Sequence, residues 1–411
     1  MRVLYLSYDG LTDPLGQSQV LPYIEGLTKQ GAQFTIISFE KPAAYQKSAV
    51  GIAERLKQAG IEWVPLKYTK KPPVLSTLWD VFKMQRAAAK LLRQKQYHIV
   101  HCRSYISALV GQKLKKTFGV KFIFDMRGFY ADERVDGHIW NLENPVYNTV
   151  YHYFKRKEKE FLAEADYIIS LTYKAKSIIH SWEEIPNQPV PIEVIPCCAD
   201  LELFSPTRID NTLQAELRKK FGLKGNEFVL SYLGSVGTWY MLPEMFDFFN
   251  CLLEKRPDAR FLFITTDNAE HLYKTAAEKG IARDKIIVTP AERKSLPTYL
   301  SLSSWSIFFI KPVFSKSASS PTKQGELMGV GIPHVCNAGV GDVDEIMQSS
   351  KAGEVVTDFT HKNYLSAVKN MLQSEYNSTL LNNAAHRVYS LTTGVNRYAA
   401  VYQKLYSNAA K

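Results

Sequence analysis

The amino-acid sequence predicts an α/β protein built from two doubly wound, Rossmann-like domains, and three observations lead there. Short apolar runs alternate with stretches of helical spacing along the whole chain, which is the pattern of a parallel sheet covered by helices on both faces. The alternation stops in a polar, irregular stretch at 201–226, with Pro206, Gly222 and Gly225, and then begins afresh. The chain has 411 residues, too many for one ordinary core, and about 150 residues per domain gives two or three.

Taken in order, residues 3–7 read as a first strand and 8–18 as a turn rich in glycine and small polar residues. Val20, Leu21, Ile24 and Leu27 repeat at helical spacing, Gly31 can end that helix, and 34–39 is the next strand, so the chain opens with a βαβ unit. Further strands are expected at 61–66, 97–102, 121–126, 166–171 and 192–197. Beyond the polar stretch they are expected at 228–233, 260–265, 285–288, 305–310, 332–336 and 354–356. The domains are therefore set at 1–205 and 206–388, with 389–411 as a C-terminal segment, helical over 389–407, that crosses back to the first domain. Ligands of such domains bind at the carboxyl ends of the strands, here in a cleft faced by both.

Composition narrows the class. Hydrophobic residues make up 45% and charged residues 22%, as in a soluble globular protein. The apolar run at 3–6 is too short for a signal-peptide core, and no stretch approaches the ~20 apolar residues of a membrane span, so a cytoplasmic location is expected. Five cysteines (102, 197, 198, 251, 336) form no CxxC pair, which suits reduced, packed thiols. Net charge is +11, with 27 basic against 20 acidic residues in 1–200. Lys83, Arg86, Lys90, Arg93 and Lys95 fall on one expected helix, interleaved with Trp79, Phe82, Met84, Leu91 and Leu92. That layout fits an anionic membrane surface as well as a plain solvated face. No recognition motif accompanies the charge, so nucleic acid is not an expected partner.

The stretch 315–326 says most about chemistry. It follows an apolar run and enters a short helix ending in Gly329 and Gly331, with Ser320 as N-cap and Pro321 at the first helical position. A helix start presents free N–H groups and partial positive charge, an anion site, and Lys316, Lys323, Ser319, Ser320 and Thr322 lie around it. Glu326 shares a helix face with Lys323 and Thr322, one turn further in. The layout suits a nucleotide diphosphate with its phosphates on the helix start and its ribose on Glu326; a capped helix with solvated lysines is the other reading. Gly16 with Gln17, and Gly234 with Ser235, sit in the first turn of each domain and can touch a diphosphate or simply turn the chain. Neither turn matches GxGxxG, which disfavours a nicotinamide or flavin enzyme. At the end of another strand, 125–138 crowds Arg127, Asp132, Glu133, Arg134, Asp136 and His138 together, suited to a charged, hydroxyl-rich substrate or to structural ion pairs. Asp342 and Asp344 form a DxD, but Asp342 with Glu345 has capping-box spacing, and His101, His138, His152 and His334 lack ligand spacing, so no metal is expected.

These blocks, Ser7–Gly10 with Asp13–Gln19, the Arg127 loop, Tyr232–Ser235 and Ser319–Lys323, resemble in order those of family 4 glycosyltransferases of the GT-B fold, in a bacterial subgroup that builds surface polysaccharides. The resemblance implies transfer of a sugar, hexosyl or N-acetylhexosaminyl, from a nucleotide diphosphate sugar, a UDP-sugar by preference, to a hydroxyl of a saccharide or lipid-linked saccharide. It implies retention at the anomeric carbon, no metal, and work at the inner face of the plasma membrane. Gly16 then matches the glycine beside the donor phosphates, Gly234 the glycine of the second domain's first turn, and Glu326 the ribose-binding glutamate. The chain departs from the family at Ala318, commonly a second glutamate, at Arg127, often histidine, and at Trp239–Tyr240, where basic residues are usual. Phosphate charge falls to Lys316, Lys323, Arg127 and Arg293, while Asp132 or Glu133 orients the acceptor. A nucleotide-sugar epimerase or hydrolase, and a non-catalytic scaffold, fit the same frame.

Overall fold

The computed structural model describes residues 1–407, and in it the chain divides into two compact units. The first takes Met1–Pro196 together with the final helix, Leu391–Ser407; the second is Cys197–Ser390. The division thus falls a few residues ahead of the polar stretch expected to hold the hinge.

Unit one is built on seven strands: β1 (Arg2–Ser7), β2 (Gln33–Glu40), β3 (Glu62–Lys67), β4 (Ile99–Arg103), β5 (Lys121–Asp125), β6 (Tyr167–Ser170) and β7 (Ile192–Val194). They lie in the order β3-β2-β1-β4-β5-β6-β7, and every pairing is parallel. Unit two carries β8 (Val229–Leu233), β9 (Arg260–Ile264), β10 (Ile286–Thr289), β11 (Trp305–Phe308), β12 (His334–Asn337) and β13 (Gly353–Val356). Their order is β10-β9-β8-β11-β12-β13, again all parallel. Each sheet reverses its winding once, between β1 and β4 and between β8 and β11. Loops leaving the carboxyl ends of strands at such a point diverge and leave a crevice.

The central strands carry buried apolar runs because helices cover both faces. Leu4, Leu6, Ile36, Ile37, Phe122 and Phe124 are fully buried in unit one. In unit two the helix Leu242–Lys255 buries Leu242, Met245, Phe246, Phe249 and Leu252, an i, i+3, i+4, i+7 stripe, with Phe246 against Phe261 and Phe263 of β9.

Several local expectations change. The 389–407 helix is two helices, Ser378–Tyr389 and Leu391–Ser407, broken at Ser390; residues 408–411 of the C-terminal segment lie outside the described part. The 125–138 segment is not all loop, since Tyr130–Asp136 is helical. Four of the five cysteines are buried. Among the described residues no helix is long and apolar enough to cross a membrane.

Candidate functional site

In unit two the functional side chains gather where β8 and β11 diverge. The helix after β11 runs Thr322–Val330, and Lys323 through Val330 are all buried. Pro321, not Ser320, is its N-cap; Ser320 Oγ instead accepts the Cys197 N–H at 3.1 Å. Proline has no N–H and no hydroxyl to offer, so the amides of the first turn keep no side-chain cap. Lys323 points from this turn toward the end of β8. Its ammonium donates to the Tyr232 hydroxyl at 3.0 Å and lies 3.7 Å from the Tyr240 ring centre. A Cβ on Gly234 would come 3.6 Å from Lys323 Nζ, and Gly234 has φ +104°, so the glycine lets the turn cover the amine closely. Burial pushes the Lys323 pKa well below its ordinary value, opposed by Glu326.

One turn along, burial pushes the Glu326 carboxyl up, against the pull of Arg293 and Lys323. Arg293 Nη1 lies 3.4 Å from Glu326 Oε1, and its guanidinium is half exposed. Lys316, although buried, rests its ammonium 3.5 Å above the Trp239 ring. The Trp239–Tyr240 pair therefore holds two lysines by cation–π contact. Ser319 and Thr322 flank the helix start, half-buried. Ser235 is turned aside: its hydroxyl donates to Asp267 at 2.9 Å, and the Val236 N–H donates to the same carboxylate at 2.6 Å. Asp267 had no sequence signal, because it lies a strand away at the end of β9.

Unit one gathers its groups at the ends of β1, β4 and β5, where Ser7, Arg103 and Asp125 stand side by side in register. Asp125 is buried beside Arg127, whose Nη1 is 3.7 Å from Oδ1, while Oδ2 accepts from Tyr398 at 3.1 Å and contacts His101 Nε2 at 3.3 Å. Burial alone would raise Asp125, but Arg127, His101 and Arg103 outweigh it and hold the carboxyl at about 2. Burial lowers the pKa of His101, against the pull of Asp125, and its Nδ1 lies 2.6 Å from the Tyr402 hydroxyl. Arg103, also buried, contacts Asp9 at 3.3 Å, and its Nη1 has no hydrogen-bond partner among the described residues. Arg127 itself sits at φ +61°, a conformation unusual for a side-chain-bearing residue, with Gly128 following at φ +144°. Neither Arg103 nor the His101 network was foreseen, since two of its members lie in the last helix.

A Cβ on Gly16 would lie 2.1 Å from the Gly10 carbonyl oxygen, so glycine is required here by chain packing alone. Gln17 donates to the Thr12 carbonyl at 3.0 Å. The amides of Leu11 and Thr12 are taken by buried Glu40, at 2.8 and 3.1 Å. Asp132 is bound on both oxygens, by Tyr151 at 2.9 Å and Lys155 at 2.8 Å, and Glu133 lies beside it in the first turn of the same short helix. Asp342 is the N-cap of Val343–Ser350 but makes no capping hydrogen bond; Asp344 accepts the Gly339 N–H instead. Away from both crevices, Cys251, Glu254 and His361 bring donor atoms within 4.8 Å of one another, a grouping the histidine spacings did not suggest.

Two parallel Rossmann-like sheets in one chain, each with its groups at the carboxyl ends beside the switch point, make the GT-B fold. Sucrose-phosphate synthase (tll1590) from Thermosynechococcus elongatus shares it over 99% of this chain and 100% of its own, with TM-score 0.72 and 14% identity. So does Anabaena Alr3699/HepE, solved in complex with UDP and glucose, over 98% and 99%, with TM-score 0.68 and 14% identity. At such identities the likeness is one of fold. In sequence, residues 17–203 match the family model Glycosyltransferase Family 4. EpsD of Bacillus subtilis (strain 168), provisionally named a glycosyltransferase, is 23% identical over 197 residues, 47% of this chain. That alignment spans about half (48%) of the curated relative's length.

Proposed function

We propose that the chain is a retaining glycosyltransferase that moves a sugar from a nucleotide diphosphate sugar, a UDP-sugar first of all, to a hydroxyl of a saccharide or lipid-linked saccharide in cell-surface polysaccharide synthesis. The observation that carries this reading is the buried Lys323 ammonium beneath Gly234, with Glu326 one turn deeper and Arg293 beside it. The family match over the first unit and the UDP complex of a fold neighbour support it.

In this reading the diphosphate lies on the amides at the start of Thr322–Val330, with Lys323 and Lys316 alongside, and Glu326 accepts from ribose hydroxyls. The bond between the anomeric carbon and the diphosphate oxygen breaks as a bond to the acceptor oxygen forms on the same face. Negative charge grows on the leaving diphosphate, and fixed N–H groups and ammonium groups stabilise it most at that moment. The acceptor's proton passes to the departing phosphate, so no protein base is required. Asp132 or Glu133 orients the acceptor. No metal takes part in this scheme. The work is assigned to the cytoplasm, at the inner face of the plasma membrane.

Melting the protein with UDP, GDP, ADP, dTDP and CMP in turn tests it. A nucleotide at a hundredfold excess over Kd adds about 2.7 kcal/mol, so one selective rise is expected, and Lys323→Met should reduce it. No rise with any nucleotide would remove the transferase reading in favour of a scaffold.

A further inference from the structure

Unit one contains a cavity of about 490 Å³ that the donor chemistry leaves unused. It lies among the helices Leu75–Gln94, Ser104–Phe118, Tyr130–Asp136 and Pro145–Glu164 and is within the size of small-ligand pockets, roughly 300–1,000 Å³. Its walls are mainly aliphatic and aromatic, including Val81, Leu109, Trp140 and Phe154, with Ser76, Thr77 and Thr149 as hydroxyl-bearing members and Lys70 and Arg134 as the charged ones. The short helix that gives Arg134 to this wall also carries Asp132 and Glu133, the residues assigned to the acceptor.

An apolar stripe that folding does not use adjoins the cavity through Leu78. On Leu75–Gln94 the core-facing residues are Ser76, Asp80, Met84 and Ala88. Leu75, Leu78, Trp79 and Phe82 form a second stripe at helical spacing, 50–63% exposed, and the rings of Trp79 and Phe82 stack at 5.4 Å. Ile139, also on the cavity wall, is 49% exposed. Apolar side chains kept in water next to an apolar cavity with two cations match an amphiphile with an anionic head. The basic residues of the helix do not all serve it, since Lys83 is taken up by Asp80 and by the Lys67 carbonyl.

We propose that this cavity receives the hydrocarbon chain of a lipid phosphate, with Lys70 and Arg134 on the phosphate and the Leu75–Phe82 stripe in the surrounding bilayer. Resting on the transferase reading, this makes the acceptor a lipid-linked one, held through its lipid rather than its sugar alone.

Dodecyl phosphate below its critical micelle concentration serves as the probe, titrated into the intact chain beside inorganic phosphate, dodecyl maltoside and a soluble oligosaccharide. Dodecyl phosphate should bind at least tenfold more tightly than each of the others. Val81→Trp, which fills the cavity, should weaken it at least tenfold, and Lys70→Ala, at an exposed position, should weaken it severalfold while leaving dodecyl maltoside unchanged. Unchanged hydrogen-exchange protection of β1–β7 in both variants shows that unit one folds. Equal binding of dodecyl phosphate and inorganic phosphate, insensitivity to Val81→Trp, or a Val81→Trp effect on the oligosaccharide alone would each overturn the proposal. Vesicles with phosphatidylglycerol that bind through Trp79 and Phe82 yet ignore Val81→Trp would overturn it as well, leaving a bilayer contact without a lipid site. If lipid phosphate binds as expected but no nucleotide shifts the melt, the transferase reading fails and the lipid site stands.

Discussion

Lys323 and Glu326 are one helical turn apart, and burial moves both toward neutrality: the lysine's pKa falls and the glutamate's rises. Donor binding needs the opposite, an ammonium facing phosphate and a carboxylate facing ribose. Affinity for the nucleotide should therefore rise as pH climbs through the folded-state pKa of Glu326, above 4.5, and fall as pH passes that of Lys323, below 10.5. The result is a bell narrower than free side chains would give. Calorimetric titration from acid to alkaline pH should show Glu326→Gln losing the acid limb and about tenfold in affinity, roughly 1.4 kcal/mol, and Lys323→Met losing the alkaline limb. A flat profile in the unaltered protein would remove both assignments. The spacing of 323 and 326 was legible in the sequence, because helical periodicity alone sets it. The aromatic cage of Tyr232 and Tyr240 around Lys323 was not, since it joins three separate segments.

At the scale of the element, Thr322–Val330 has no exposed face beyond its first residue, and glycine is what allows that. A Cβ on Gly325 would lie 2.7 Å from Cγ of Tyr389, a fully buried ring whose hydroxyl donates to Gln324. One on Gly329 would lie 2.5 Å from the Phe204 carbonyl oxygen, so this glycine is a point of close packing within the helix, and Gly331 at φ +86° is its C-cap. Alanine is the better helix former by about 1 kcal/mol, yet Gly325→Ala should destabilise unit two by about 1–3 kcal/mol through overpacking. Gly51→Ala in the helix Pro42–Gln58, where a Cβ meets nothing within 4 Å, should stabilise unit one by up to about 1 kcal/mol. Urea midpoints of the two variants decide this, and a shift in the same direction for both would contradict it. Helix existence could be read from the sequence; the reason for its glycines could not, because the neighbours that demand them are far along the chain.

For the whole molecule, the last helix is a structural part of unit one. It buries Val395, Tyr398, Val401, Tyr402 and Leu405, and Tyr398 and Tyr402 contact Asp125 and His101. Ending the chain at Ser390 should open β1, β4 and β5 to hydrogen exchange while β8–β13 stay protected; unchanged protection in unit one would refute it. The sequence by itself determined all thirteen strands of the described residues and the α/β class, because strand and helix periods are local and each short apolar run is fixed by its own residues. It also located the Thr322–Glu326 face and the crowded segment after β5. Only the tertiary structure decided which charges are satisfied: Ser235 on Asp267, Asp132 on Tyr151 and Lys155, and the Leu11 and Thr12 amides on Glu40. Those partners are 19 to 32 residues apart in the chain. Only the order in which parallel strands pair brings their ends together, and that order is a property of the packed sheet.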